Sequence, residues 1–113
     1  MRIDLTQRFF NADDTVAEDA KTKEPLTLKH FLIQACLADF TGDRQPVPGD
    51  EKVKRYSIYA ELKKAGNFAE LSAEDIVLLK KAAYVFPTLV LGQLHSMLEG
   101  KPRLVKPAPE TPA

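Results

Sequence analysis

One cysteine and no tryptophan in the whole chain already narrow its chemistry. A single thiol excludes an internal disulfide and a cysteine-based zinc site. Set among apolar neighbours at helical spacing, Cys36 reads as a small core residue. Neither sign of charge prevails, because sixteen Lys and Arg balance sixteen Asp and Glu. Dedicated binders of nucleic acid or of anionic membrane carry a basic excess, so this balance argues against both. No run approaches the roughly 18–20 apolar residues that span a bilayer. The start, Met1-Arg2-Ile3-Asp4-Leu5, lacks the uninterrupted apolar stretch of a signal peptide. These absences point to a protein of the cytoplasm. The five glycines (42, 49, 66, 92 and 100) are scattered and build no phosphate-cradling loop.

Catalytic constellations are missing as well. His30 and His95 are far apart, and neither has a carboxylate at convincing ligand spacing. Ser57, Ser72 and Ser96 have no nucleophile-elbow context. Asp13-Asp14 reads as a turn and Glu74-Asp75 as a helix start. No catalytic residue, metal or cofactor is expected, and the chain reads as a non-enzyme.

What is present is a helical pattern with clear punctuation. The 113 residues, 44% apolar and 28% charged, suit one globular domain. Thr27 caps a helix over 28–39, with Leu28, Phe31, Leu32, Ala35 and Cys36 at i, i+3, i+4 spacing. Residues 41–49, with two prolines and two glycines, make a loop. Asp50 is the expected cap of a second helix over 50–65, whose stripe is Val53, Tyr56 and Ala60, widened by Ile58, Tyr59 and Leu62. Gly66-Asn67 stops it. Ser72 and Asp75 form a capping box for a third helix, with Leu71 stapled to Ile76. Pro87 suits the first turn of a fourth, closed by Gly100.

Residues 1–26 alternate weakly and form a strand-like arm, either a loose hairpin with 15–17 as its second strand or an extended arm. The expected organisation is therefore an arm (1–26), a bundle of about four helices (27–100) and a disordered Pro-rich tail (101–113). The fold class is mainly α.

Two surfaces are candidates for function. The fourth helix has few polar positions, so Val90, Leu91, Leu94, Met97 and Leu98 either fill the centre of the bundle or face another chain. Gly92 within that helix suggests a close helix crossing. The second helix is basic, and Lys52, Lys54 and Arg55 could contact phosphates, with Tyr56 or Tyr59 stacking on bases. Against that, the turn before helix three is too long for a helix-turn-helix, and that helix offers no outward Arg, Asn or Gln.

The segments Glu51-Lys52-Val53-Lys54-Arg55-Tyr56, Glu70-Leu71-Ser72-Ala73-Glu74-Asp75-Ile76, Leu89-Val90-Leu91-Gly92-Gln93 and Met97-Leu98-Glu99, with Leu26-Thr27-Leu28, resemble an uncharacterised family of small proteins of tailed phages and prophages. The resemblance covers about residues 1–100 and rests on packing and capping motifs, so it transfers no functional residues. It implies a bacterial cytoplasmic setting and an accessory protein acting through protein contacts. The apolar excess of helix four adds a homodimer through that helix as one arrangement. A virion-assembly factor such as a tail-assembly chaperone is one alternative. A nucleic-acid binder using the basic face of helix 50–65 is the other.

Overall fold

The chain opens as a strand because its first residues find a partner far along the sequence. In a computed structural model that describes residues 1–100, β1 (Arg2–Asp4) pairs antiparallel with β2 (Phe68–Glu70). The register sets Ile3 opposite Ala69, and both side chains are buried. The expected second strand at 15–17 instead makes a single bridge, Phe10 to Val16. Between β1 and the first helix the chain folds back on itself through further single bridges, Glu18 to Pro25 and Arg8 to Thr27. The tail at 101–113 lies outside the described residues.

Four helices carry the rest: α1 (Leu28–Leu37), α2 (Gly49–Lys64), α3 (Ala73–Ala82) and α4 (Thr88–Leu98). The fold among the described residues is mainly α, with one two-stranded sheet. Local chemistry places most helix ends. Thr27 Oγ1 accepts from the His30 N–H, and Ser72 and Asp75 close a reciprocal capping box. At α2 the cap differs from expectation. The helix begins at Gly49 directly after Pro48, without a side-chain cap, and Asp50 and Glu51 lie inside its first turn. Both acids still face the positive end of the helix dipole.

The stripe of α2 also needs correction. Val53 and Tyr56 are 67% and 65% exposed, while Arg55, Ile58 and Leu62 are buried. The helix is turned so that Ile58, Leu62 and one arginine face inward, with Tyr59 half-buried against the core and Tyr56 left at the surface. Between α3 and α4 the chain tightens into a 3-10 turn, Ala83–Val85. Phe86 is then extended, as a residue before proline prefers, and Pro87 precedes α4 rather than opening it.

The core draws on every part of the chain. Ile3, Leu5 and Phe9 of the arm pack in one cluster with Leu28, Leu32, Leu62, Leu71, Leu79, Leu94 and Leu98. Phe9, Phe31 and Phe86 pack in series, the first pair tilted and the second edge-on, with ring centroids 4.4 and 5.4 Å apart. The Gln93 side chain pairs with the Phe10 backbone as a strand would, donating to its carbonyl and accepting from its N–H at 3.0 Å each. Helix α4 is thus anchored to the arm.

Two glycines mark opposite situations. Gly92 is exposed, and a Cβ there would meet nothing within 4 Å, so the expected close crossing does not occur among the described residues. It weakens α4 by about 1 kcal/mol relative to alanine without any packing return. At Gly42 a Cβ would stand 2.8 Å from the Tyr84 carbonyl oxygen and 2.9 Å from its Cβ. This contact presses the 38–48 loop onto the 3-10 turn. Gly42→Ala is expected to lower unfolding free energy by about 1–3 kcal/mol. Gly49→Ala, where a Cβ meets open space, should stay within about 0.5 kcal/mol of the wild type in the same urea titration.

Candidate interaction surface

Of the three residues nominated for phosphate, the structure removes one. Arg55 is 2% exposed and fully engaged on its own chain. Its Nε and Nη2 donate to Glu51 Oε2 at 3.1 and 2.7 Å, one helical turn away on α2. Its Nη1 donates to the carbonyls of Ala35 and Ala38 at 3.5 and 3.3 Å. Those carbonyls form the C-terminal end of α1, where a cation offsets the negative pole of the helix dipole. Glu51 Oε1 in turn accepts from Lys81 Nζ at 2.9 Å, which ties α3 into the same network. Reach explains the assignment: an arginine stem can lie along apolar surface while its planar head serves several acceptors. Lys52 stands 3.9 Å from Asp39, and Lys54 is exposed. Of the nominated phosphate contacts two lysines remain, beside the exposed Lys63 and Lys64 at the far end of α2.

The candidates on α4 divide in the same way. Leu94, Met97 and Leu98 are buried in the chain's own core, so the interface reading is corrected for these three. Val90 and Leu91 are half-buried and pack against that core. The apolar excess of helix four is largely spent inside the molecule.

Two surfaces remain outside. A shallow groove of about 690 Å³ runs between α2 and α3, lined by Ser57, Ile58, Val77 and Leu78 and by the charged Lys54, Glu74 and Lys81. The second surface is more apolar. Among the described residues, five of the ten exposed large apolar side chains (Leu37, Phe40, Tyr84, Val85 and Leu89) lie on residues 37–46 and 84–89, the two segments joined by the Gly42–Tyr84 contact. The chain carries no Asp, Glu, Lys or Arg from Ala82 to Leu98, whereas the 37–46 segment carries Asp39, Asp43 and Arg44, all exposed. Exposed apolar side chains gathered on neighbouring segments are the ordinary mark of a protein contact site.

The titratable residues have structural partners. Burial pushes the Cys36 thiol up to about 12, against a smaller opposing effect of the Arg55 charge, so it is protonated at neutral pH. A protonated buried thiol is no nucleophile. His30 packs edge-on against Phe31, and His95 stacks on Tyr84 at 5.7 Å with its Nε2 3.4 Å from the Lys80 carbonyl. Among the described residues no group of three or more His, Cys, Asp or Glu is placed to hold a metal ion, and no helix is long and apolar enough to cross a membrane. None of the protein-family models, curated proteins or solved structures compared with the chain matches it.

The network around Glu51 has measurable consequences. Arg55→Ala takes a donor from the Ala38 carbonyl, leaves the Ala35 carbonyl with the Ala38 N–H, and leaves Glu51 with Lys81 alone. The expected loss is about 3 kcal/mol of unfolding free energy, and a loss below about 1 kcal/mol would show that the network is dispensable. The Lys81 hydrogen bond, helped by Arg55, holds the Glu51 carboxyl below its usual value against the opposing effect of burial. A carboxyl depressed in the folded state stabilises above its unfolded value, about 4.3, and that contribution is lost as pH falls through the lower folded value. Asp4, Asp13 and Asp19, lowered by hydrogen bonds from Thr6, Thr15 and the 21–22 backbone, act in the same direction. Glu51→Gln should therefore flatten, without abolishing, the fall in stability between about pH 5 and pH 3. Identical slopes for the variant and the wild type would rule out this role.

Proposed function

We propose that this chain is a non-enzymatic accessory protein of a phage or prophage, working in the bacterial cytoplasm by contact with other protein. The observation that carries this reading is the gathering, among the described residues, of half the exposed large apolar side chains on two touching segments, one of which continues into a stretch free of charge. Such a surface suits burial against protein far better than it suits a phosphate backbone, a sugar or an ion. The motifs around the α2 start, the α3 cap and α4, which resemble small proteins of tailed phages, supply the setting. The nucleic-acid reading loses its strongest cation to the core, since Arg55 is buried and ion-paired.

Affinity capture from bacterial lysate, with and without phage induction, tests the proposal when the wild type is compared with a Leu37→Asp/Phe40→Asp variant. Both side chains are more than half exposed, so the variant should fold. Virion or tail components captured by the wild type and lost by the variant would mark an assembly role. A single host protein lost in the same way would mark a regulator of that target. Capture profiles identical for the two proteins would overturn the assignment of this surface.

A further inference from the structure

The α2–α3 groove carries its charges in an order that matches itself. On α3, Glu74, Val77, Leu78 and Lys81 recur at i, i+3, i+4 and i+7, and all four line the groove. Val77 is 67% exposed, Leu78 is half-buried, and Glu74 and Lys81 lie at the surface. We propose that a second copy of this chain docks in this groove, with the two α3 helices antiparallel across a two-fold axis. This face shares no residue with the surface assigned above to other protein, and it gives the chain a second kind of contact.

Spacing and charge select the occupant. Set antiparallel and centred between Val77 and Leu78, the series reads the same from both ends. Glu74 of each copy faces Lys81 of the other, and Val77 of each faces Leu78 of the other. A two-fold axis repeats every contact, so an arrangement that pairs unlike charges once pairs them twice. The charged residues of the lining are Lys54, Lys81, Glu74 and Asp75, two of each sign, so the face meets its copy without net repulsion. Asp75 and Lys81 already have bonds within the chain, to the Ser72 N–H and to Glu51 at 2.9 Å. The side chains of Lys54 and Glu74 have no hydrogen bond or ion pair among the described residues. Lys54, across the groove on α2, supplies Glu74 of the second copy with a further cation. Val77 is the knob that the groove receives, over an apolar floor of Ile58 and Leu78 beside the small Ser57. One helix pair with a single exposed valine from each copy belongs to the small class of contacts, below about 1,200 Å² in total. Such a dimer forms at micromolar concentration and dissociates on dilution.

Sedimentation equilibrium of the full chain over roughly 1 to 300 μM, the range such weak contacts need, should show a monomer–dimer equilibrium. Val77→Asp and Glu74→Lys should each be monomeric across that range with an unchanged helical circular dichroism spectrum. The first puts a charge into the apolar centre, and the second sets a lysine over Lys54 and Lys81 of the other copy. Cross-linking adds a readout independent of how those variants fold. Cys36 is buried and protonated, so in Val77→Cys the new thiol is the accessible one. Oxidised glutathione takes two electrons and two protons from a pair of such thiols, leaving one disulfide and two reduced glutathiones. Near a two-fold axis this reaction should run at least about tenfold faster than in Ala12→Cys, whose thiol lies on an exposed turn of the arm. A monomer at every concentration would overturn the proposal, whether or not another protein is captured at the groove. So would a dimer that survives either substitution, or Val77→Cys cross-linking no faster than Ala12→Cys. The capture test with Leu37 and Phe40 is decided separately, because those residues lie outside this face.

Discussion

Helices α1 and α2 hold each other's C-terminal ends, and the remaining packing depends on that mutual grip. Arg55, in the second turn of α2, donates to the Ala35 and Ala38 carbonyls at the C-terminal end of α1. Lys29, in the first turn of α1, donates from its Nζ to the Ala65 carbonyl at the end of α2, at 2.7 Å. The two contacts set the helices antiparallel and fix their relative slide. Each places a cation on the negative pole of the opposite helix, where otherwise unpaired carbonyls need donors. Arg55 is the costlier partner, since a buried guanidinium is tolerated only when its donors are satisfied. Glu51 supplies that satisfaction and, by accepting from Lys81 as well, carries the arrangement into α3.

The arm solves a different problem. Four short helices with a chain of this size leave part of their apolar surface uncovered, and Ile3, Leu5 and Phe9 close it. Polar backbone must then pass over a hydrophobic face, and every exposed amide near it needs a partner. The pairing of β1 with β2 meets part of that need, and the Gln93 amide supplies what a third strand would have supplied at Phe10. Tight turns complete the path. At Asn11–Thr15 and at Thr41–Gln45 the chain reverses identically, with the fourth residue (Asp14 or Arg44) at positive φ and donating to the carbonyl of the first.

Capping was legible in the sequence because it is local. Thr27, Ser72 and Asp75 act within three residues of themselves, and the structure places their bonds where the pattern indicates. The rotation of α2 was not legible, because its sequence has no single apolar stripe. Val53, Tyr56 and Ala60 matched helical spacing as well as Ile58 and Leu62 did. The deciding residue was an arginine that reads as surface by type and is buried by geometry. The strand partner of β1 was hidden for another reason: Phe68–Glu70 is three residues long, and its pairing spans more than sixty positions. The interaction surface shows the same divide. The lack of charge from Ala82 to Leu98 is visible in one dimension, yet only the fold separates its buried residues, Leu94, Met97 and Leu98, from its exposed ones.

That separation bears on why an uncharged helix ends up partly at the surface. Burying Leu94, Met97 and Leu98 uses one side of α4, and Gln93 clamps a flank to the arm. The side carrying Thr88 and Gly92 faces outward, and a helix that served only as a core element would gain by carrying lysine or glutamate there. Such residues raise helix propensity and keep copies of a protein apart. Glycine does neither. It gives up helix stability at a position with no neighbour among the described residues, and the adjoining Leu89, Tyr84 and Val85 stay exposed. Each is a cost to the isolated monomer, and all of them vanish together once one surface covers this side of the helix. A common cover is a simpler physical account than several independent defects on one face.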